Sequence, residues 1–271
     1  MRYIKPKKRF GQHYLRDDNV LMDIRDVFRE NHKSPYVLEI GPGMGILSKE
    51  LIDLAKNVTA VEIDQRLVEY LATEYSDVKN FEVIHHDFLT FDIESLSKKS
   101  KRKIKVIGNV PYHITSQILI HLFENFKYVQ DLTLTIQKEV AERLLSPPGT
   151  KGYGIISVYS VLFSEPSKLF NISRGVFNPP PKVESTVIHM KFRESLPKPV
   201  SDLKLLISII RTTFGKRRKM LRNSIKPIGE CVDFLEGEGF DLTRRPESLN
   251  ADEFINLSNV IHKWLKDNQD V

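Results

Sequence analysis

The chain has 271 residues, 41% hydrophobic and 28% charged, enough to bury a full core as one large domain plus a small one. Its net charge of +6 favours a polyanionic partner, and its single cysteine, Cys231, excludes a disulfide framework and a thiolate metal site, so no metal is expected. The basic N-terminus lacks the apolar run of a secretory leader and no stretch approaches the ~20 apolar residues of a membrane span, which leads us to expect a cytoplasmic protein with no membrane partner.

Residues 1–16 carry six basic side chains (Arg2, Lys5, Lys7, Lys8, Arg9, Arg16) and no acid, ending in F-G-Q-H-Y-L. Such an arm is either solvated or in contact with phosphate. From Asn19, Val20, Ile24, Val27 and Phe28 recur at helical spacing, so a helix precedes the first strand. Apolar, β-rich runs at Tyr36–Ile40, Val58–Ile63, Phe81–Ile84, Ile104–Ile107, Leu132–Ile136, Lys168–Ile172 and Thr186–Phe192 predict seven strands. Between the first five lie amphipathic segments (Ile46–Ala55, Gln65–Tyr75, Ser116–Asn125) and, at 88–103, a stretch that reads as a loop, with the basic cluster Ser97–Lys105 at its end. This alternation implies an α/β, doubly wound, mainly parallel sheet that binds ligands at the C-terminal strand ends near its switch point. S-L-P-K-P-V (195–200) reads as a linker between a domain spanning 1–194 and a helical domain spanning 201–271. In the latter, helices are predicted at Leu203–Thr213, Lys216–Ile225, Cys231–Glu238 and Asp252–Leu265, the last begun by an Asn250/Glu253 capping pair.

The chemistry concentrates at the predicted strand ends. Strand one runs into E-I-G-P-G-M-G, whose glycines, Gly41 and Gly43 among them, allow a tight turn and close approach of a ligand at a helix N-terminus. The spacing is G-x-G-x-G, so it matches neither the dinucleotide fingerprint nor the phosphate-binding loop. Glu62 ends strand two, placed for a ribose diol, and Asp87 follows strand three, placed for an adenine amino group. Strand four delivers G-N-V-P-Y. There Asn109 and the Val110 carbonyl could accept the two N–H hydrogens of a nucleobase amine, with Tyr112 stacking on the base; Phe177, in the stiff connector F-N-P-P-P-K-V-E-S, either covers its other face or packs in the core. An adenosine-containing ligand without a pyrophosphate fits this set, and S-adenosylmethionine is the expected methyl donor. Six basic residues and no acid within 211–222, including Arg217, Arg218, Lys219 and Arg222, read as a nucleic-acid backbone contact on a helix.

F-G-Q-H-Y-L, E-I-G-P-G-M-G, V-E-I-D, G-N-V-P-Y-H-I, Q-K-E-V-A-E-R-L, F-N-P-P-P-K-V-E-S and F-G-K-R-R-K-M-L-R-N-S, in that order, resemble the small-subunit ribosomal RNA adenine dimethyltransferases from about Lys7 to Leu257. The resemblance implies a seven-stranded class I methyltransferase (Rossmann-like) sheet with a small all-helical C-terminal domain. It further implies transfer of two methyl groups to N6 of each of two adjacent adenosines in the hairpin near the 3′ end of small-subunit rRNA. Carried over by position, His13 and Leu15 would close over the cofactor, Gly41 would lie against it, Glu62 would hold the ribose and Asp87 the adenine. Asn109 would border both cofactor and target amine. His13 and His113 stand where many members have Asn. The alternatives are a large-subunit rRNA adenine methyltransferase of the antibiotic-resistance type and a non-catalytic RNA-binding assembly factor. A bulky RNA-protein substrate, the assembling small subunit, argues for a monomer.

Overall fold

The computed structural model describes residues 4–29 and 35–268; Arg2 of the basic arm lies outside them. Seven strands form one sheet: β1 (Tyr36–Ile40), β2 (Asn57–Glu62), β3 (Phe81–His85), β4 (Ile104–Asn109), β5 (Val129–Gln137), β6 (Ser164–Ile172) and β7 (Ser185–Phe192). Their spatial order is β3-β2-β1-β4-β5-β7-β6, with β3 through β5 parallel and β7 antiparallel to both β5 and β6. The strand order reverses between β1 and β4, so the carboxyl ends of these two strands open a crevice between them. Gly108 permits this pairing at its tightest point, because a Cβ there would stand 2.6 Å from the Ile40 carbonyl oxygen.

Helices α1 (Asp18–Arg29), α2 (Ile46–Leu54), α3 (Gln65–Glu74), α4 (Ile93–Ser100) and α5 (Thr115–Glu124) accompany the parallel strands. The loop expected at 88–103 is corrected: it holds a short 3-10 turn (Phe88–Thr90) and then α4. Asp92 caps α4 by accepting from the Ser95 N–H at 2.9 Å, and Ile93 and Ser97 give it one buried stripe. That stripe is too short to stand out among the surrounding lysines. Lys105, expected in the basic cluster, is instead buried within β4 at 2% exposure, its ammonium 3.4 Å from the Asp131 carboxylate on the neighbouring strand. A two-residue antiparallel ladder, Tyr14–Leu15 with Phe177–Asn178, ties the N-terminal segment to the connector before β7.

Two compact units divide the chain, Met1–Ala141 with Ser164–Arg193, and Glu142–Phe163 with Glu194–Val271. Residues 142–163 therefore group with the C-terminal helices, whereas the sequence placed them in the first domain. They include α7 (Ile155–Phe163), which follows α6 (Lys138–Leu144) and is apolar nearly all round, so it carries little of the one-sided periodicity by which a surface helix is recognised. In the second unit the Tyr153 hydroxyl donates to the Leu249 carbonyl at 2.7 Å. Helices α8 (Leu203–Gly215), α9 (Leu221–Ser224), α10 (Val232–Gly237) and α11 (Ala251–Asp267) complete this unit, with the Asn250/Glu253 capping box formed as expected. The helix predicted over Lys216–Ile225 is cut short: residues 216–220 are a turn and only α9 is helical.

Candidate active site

A cleft opens over the carboxyl ends of β1 to β4, lined by residues 10–15, the loop 40–44, Glu62, Ile63, His86, Asp87 and residues 108–112. Gly41 adopts φ +64° and a Cβ there would meet nothing within 4 Å, so the backbone faces open space that a ligand can approach. Glu62 is buried at 5% exposure, and its two carboxylate oxygens accept from the Gly43 N–H at 3.3 Å and the Asp64 N–H at 2.9 Å. Burial raises its pKa above the ordinary carboxylate value against the opposing effect of these N–H groups. Glu39, fully buried one strand over, is pushed up to about 7 by burial; the Ser48 hydroxyl at 2.6 Å opposes that shift and the neighbouring Glu62 adds to it. Two buried carboxyl groups lining one cleft suit a cationic ligand. Asp87 is exposed and uses Oδ1 to cap the following 3-10 turn through the Leu89 N–H at 2.9 Å, which leaves Oδ2 for a ligand amine. Ile63, 43% exposed at the rim, offers a flat apolar contact between these two acids.

The opposite wall is G-N-V-P-Y. Asn109 Nδ2 donates to the His13 main-chain carbonyl at 2.7 Å. A carbonyl can only accept, so this contact fixes the amide orientation and turns Oδ1 into an available acceptor. The Tyr112 ring is held at its hydroxyl by Ser185 and stacks on the His13 imidazole, with ring centroids 5.4 Å apart and planes 22° apart. His13 Nδ1 donates to the Pro179 carbonyl at 2.7 Å, which sets the tautomer.

The N-terminal segment is pinned across the cleft. Gln12 Nε2 donates to Asp64 at 3.3 Å, Arg66 grips the same carboxylate at 2.5 Å, and the Lys7 ammonium lies 3.5 Å away. Burial alone would raise the Asp64 pKa, but the hydrogen bonds from Arg66 and Gln12 outweigh it and hold the group at about 2. Sequence reasoning missed Gln12, Tyr14, Glu39, Ile63 and Ser185. An exposed isoleucine between two acids in E-I-D was the clearest available signal.

His13, Leu15, Gly41, Gly43, Glu62, Asp87, Asn109 and Tyr112 all line this one cleft. Phe177 is not among its lining residues. Its ring is 3% exposed and packs in the core cluster with Ile24, Phe28 and Leu51, of the two readings the sequence left open the one in which it is part of the core, while its backbone pairs with Leu15. The basic set also changes. Arg217 is committed to Glu247 and to the carbonyls of Thr150 and Lys151, and Arg222 to Glu236, which leaves Lys216, Arg218 and Lys219 exposed on the turn after α8.

Comparison with known proteins decides the family. The model of the ribosomal RNA adenine dimethylase family matches residues 4–263. The chain belongs to that family. It is 42% identical over 267 residues to the ribosomal RNA small subunit methyltransferase A of Bacteroides thetaiotaomicron, covering 98% of this chain and 97% of the relative. The corresponding protein of Flavobacterium johnsoniae is 40% identical, with 96% and 97% covered. Among solved structures, a dimethyladenosine transferase from Plasmodium falciparum superposes with a TM-score of 0.74 at 25% identity, covering 94% of this chain and 98% of that one. The 23S rRNA methyltransferase ErmE gives 0.63 at 26% identity, covering 92% and 99%. In this dimethylase chain the seven-stranded sheet and the helical C-terminal part stand as the resemblance implied.

Proposed function

We propose that the chain transfers methyl groups from S-adenosylmethionine to N6 of two adjacent adenosines in the 3′-terminal hairpin of small-subunit rRNA, acting on the assembling subunit as a cytoplasmic monomer. The observation that carries this reading is the Asn109 amide, clamped by the His13 carbonyl with Oδ1 left as an acceptor, between the carboxylates of the cofactor side and the Tyr112 ring.

The residues present fit the cofactor: Glu62 for the ribose diol, Asp87 Oδ2 for the adenine amine, the open backbone at Gly41, and Glu39 with Glu62 for positive charge. The bound cofactor supplies an electrophilic methyl on a sulfonium. What the chain must do is place an acceptor nitrogen in line with it. An adenine N6 lone pair is delocalised into the ring. Accepting its two N–H bonds on Asn109 Oδ1 and the Val110 carbonyl draws that density back onto nitrogen, and Tyr112 holds the base by stacking. Formation of the C–N bond would be matched by cleavage of the methyl–sulfur bond with its electron pair left on sulfur, and N6 would then release one proton to solvent and keep a lone pair for the second transfer.

Relatives named for the small subunit, at 40–42% identity, favour that subunit over the 23S substrate named for ErmE at 26%. Presenting labelled cofactor with unmodified small and large subunits in one reaction tests this choice. Label entering small-subunit rRNA is expected; label confined to large-subunit rRNA would contradict it.

Two further outcomes are expected. Glu39 binds its proton more tightly folded than unfolded, so the native state loses stability as pH rises from about 4.5 to about 7. A cation brought beside Glu39 and Glu62 reverses that preference and expels the proton. Cofactor binding near pH 7 should therefore release protons, seen as a calorimetric enthalpy that differs between phosphate and Tris buffers. Glu39→Gln should remove the difference, and equal enthalpies for the wild type would contradict the assignment. On the turn after α8, reversing the charge of Arg218 and Lys219 together should weaken binding to rRNA and lower the slope of log affinity against log salt by roughly two units. An unchanged slope would remove this turn from the RNA contact.

A further inference from the structure

The connector F-N-P-P-P-K-V-E-S places Phe177 in the core, yet its last residue reaches the active site. Ser185 opens β7, is fully buried, and is in register with Gln137 of β5 on one side and Ile172 of β6 on the other. Its backbone is thereby fixed between two strands. Its hydroxyl stands 2.5 Å from the Tyr112 phenol oxygen.

Resting on the dimethyltransferase reading above, we propose that Ser185 is a positioning residue for that reaction, holding the Tyr112 ring in the plane on which the target base stacks. Tyr112 begins a three-residue 3-10 turn whose hydrogen bonds, from the Ile114 N–H and the Thr115 hydroxyl to the Pro111 carbonyl, fix the backbone and leave the ring torsion to other contacts. The aromatic torsion is intrinsically broad. Anchoring the phenol oxygen fixes the direction of the ring axis, and the preference of a phenol hydrogen bond for the ring plane limits its tilt. The stacked His13 imidazole supports the ring laterally but is itself carried on the N-terminal segment, whereas Ser185 is built into the sheet. The hydroxyl thus transmits the rigid sheet position to the one aromatic surface that meets the substrate. It touches neither base nor cofactor in doing so.

The test is a double-variant cycle with Ser185→Ala, Tyr112→Phe and the pair, scored by kcat/KM for rRNA and by cofactor affinity. Ser185→Ala should lower kcat/KM for RNA roughly three- to ten-fold, the worth of one hydrogen bond, with cofactor affinity unchanged. In the Tyr112→Phe background the same substitution should add less than about two-fold, because the hydrogen bond is already gone. An equal loss in both backgrounds would make Ser185 a packing residue and overturn the proposal, as would no loss in the wild-type background. If Ser185→Ala does not fold, Tyr112→Phe removes the same hydrogen bond from the other side and must show the loss; wild-type kcat/KM in that variant overturns the proposal. A wild-type protein that makes no dimethyladenosine overturns the dimethyltransferase reading itself, an outcome distinct from additive losses in an active enzyme.

Discussion

Asn109→Ala should lower kcat for methyl transfer roughly 10²- to 10³-fold, the typical cost of removing one preorganised polar group from a transition state, with cofactor affinity retained within a few-fold. On the proposed reading the cofactor's ribose and adenine fall to Glu62 and Asp87, and Asn109 borders cofactor and target amine. What it supplies is an acceptor whose direction is set before substrate arrives, because its Nδ2 is already engaged by the His13 carbonyl. Deleting the amide removes the N–H acceptor that restores nucleophilicity to N6, and no other side chain on G-N-V-P-Y can take its place. Asn109→Asp separates the two effects. The carboxylate keeps an acceptor for the amine but faces the His13 carbonyl without a hydrogen to donate, so it should lose activity as well, by less than Ala. A loss confined to cofactor affinity in both variants would move Asn109 from the acceptor role to cofactor binding.

Lys105→Ala should destabilise the fold by about 3–5 kcal/mol, the range for breaking a buried ion pair. At this chain length that lowers the melting temperature by on the order of 10 °C. The pair lies between adjacent strands in the middle of the sheet, with both side chains at or below 5% exposure, and the Lys105 ammonium also stands 4.8 Å from the centre of the Phe28 ring. Burial lowers the lysine's pKa and Asp131 opposes that shift, so the carboxylate is what favours the buried ammonium. Replacing both, as Lys105→Met with Asp131→Leu, should recover most of the lost stability, since well-packed apolar residues can substitute for a buried pair. Thermal unfolding of the three variants reads this directly, and a single variant that melts with the wild type would contradict it.

The strand ends were legible in the sequence because function there depends on residue type at a fixed spacing. Glycines at 41 and 43, an acid ending β2, another after β3 and G-N-V-P-Y after β4 follow from where a doubly wound sheet must bind its ligand. What was not legible depended on contacts between distant segments. Phe177 in its proline-rich connector reads equally as a base-covering or a core aromatic, and what decides is its packing against Ile24, Phe28 and Leu51, more than 120 positions earlier. Lys105 reads as the last of a basic run, yet register with Asp131 buries it. Arg217 and Arg222 read as free cations, but Glu247 and Glu236 neutralise them across the second unit. Ser185 reads only as the last residue of F-N-P-P-P-K-V-E-S with no role of its own, since its partner is 73 residues away. In each case a charge or ring found its partner through tertiary pairing that local periodicity does not encode.

The central claim is that this cleft delivers two methyl groups to one adenine N6 through the Asn109 acceptor. It is tested most directly by digesting rRNA from unmodified small subunits after reaction with wild-type protein and S-adenosylmethionine, and identifying the product nucleosides by mass spectrometry. The account predicts N6,N6-dimethyladenosine, formed by the wild type and lost with Asn109→Ala. Methylation of a different base, or dimethyladenosine formed equally well by Asn109→Ala, would contradict it.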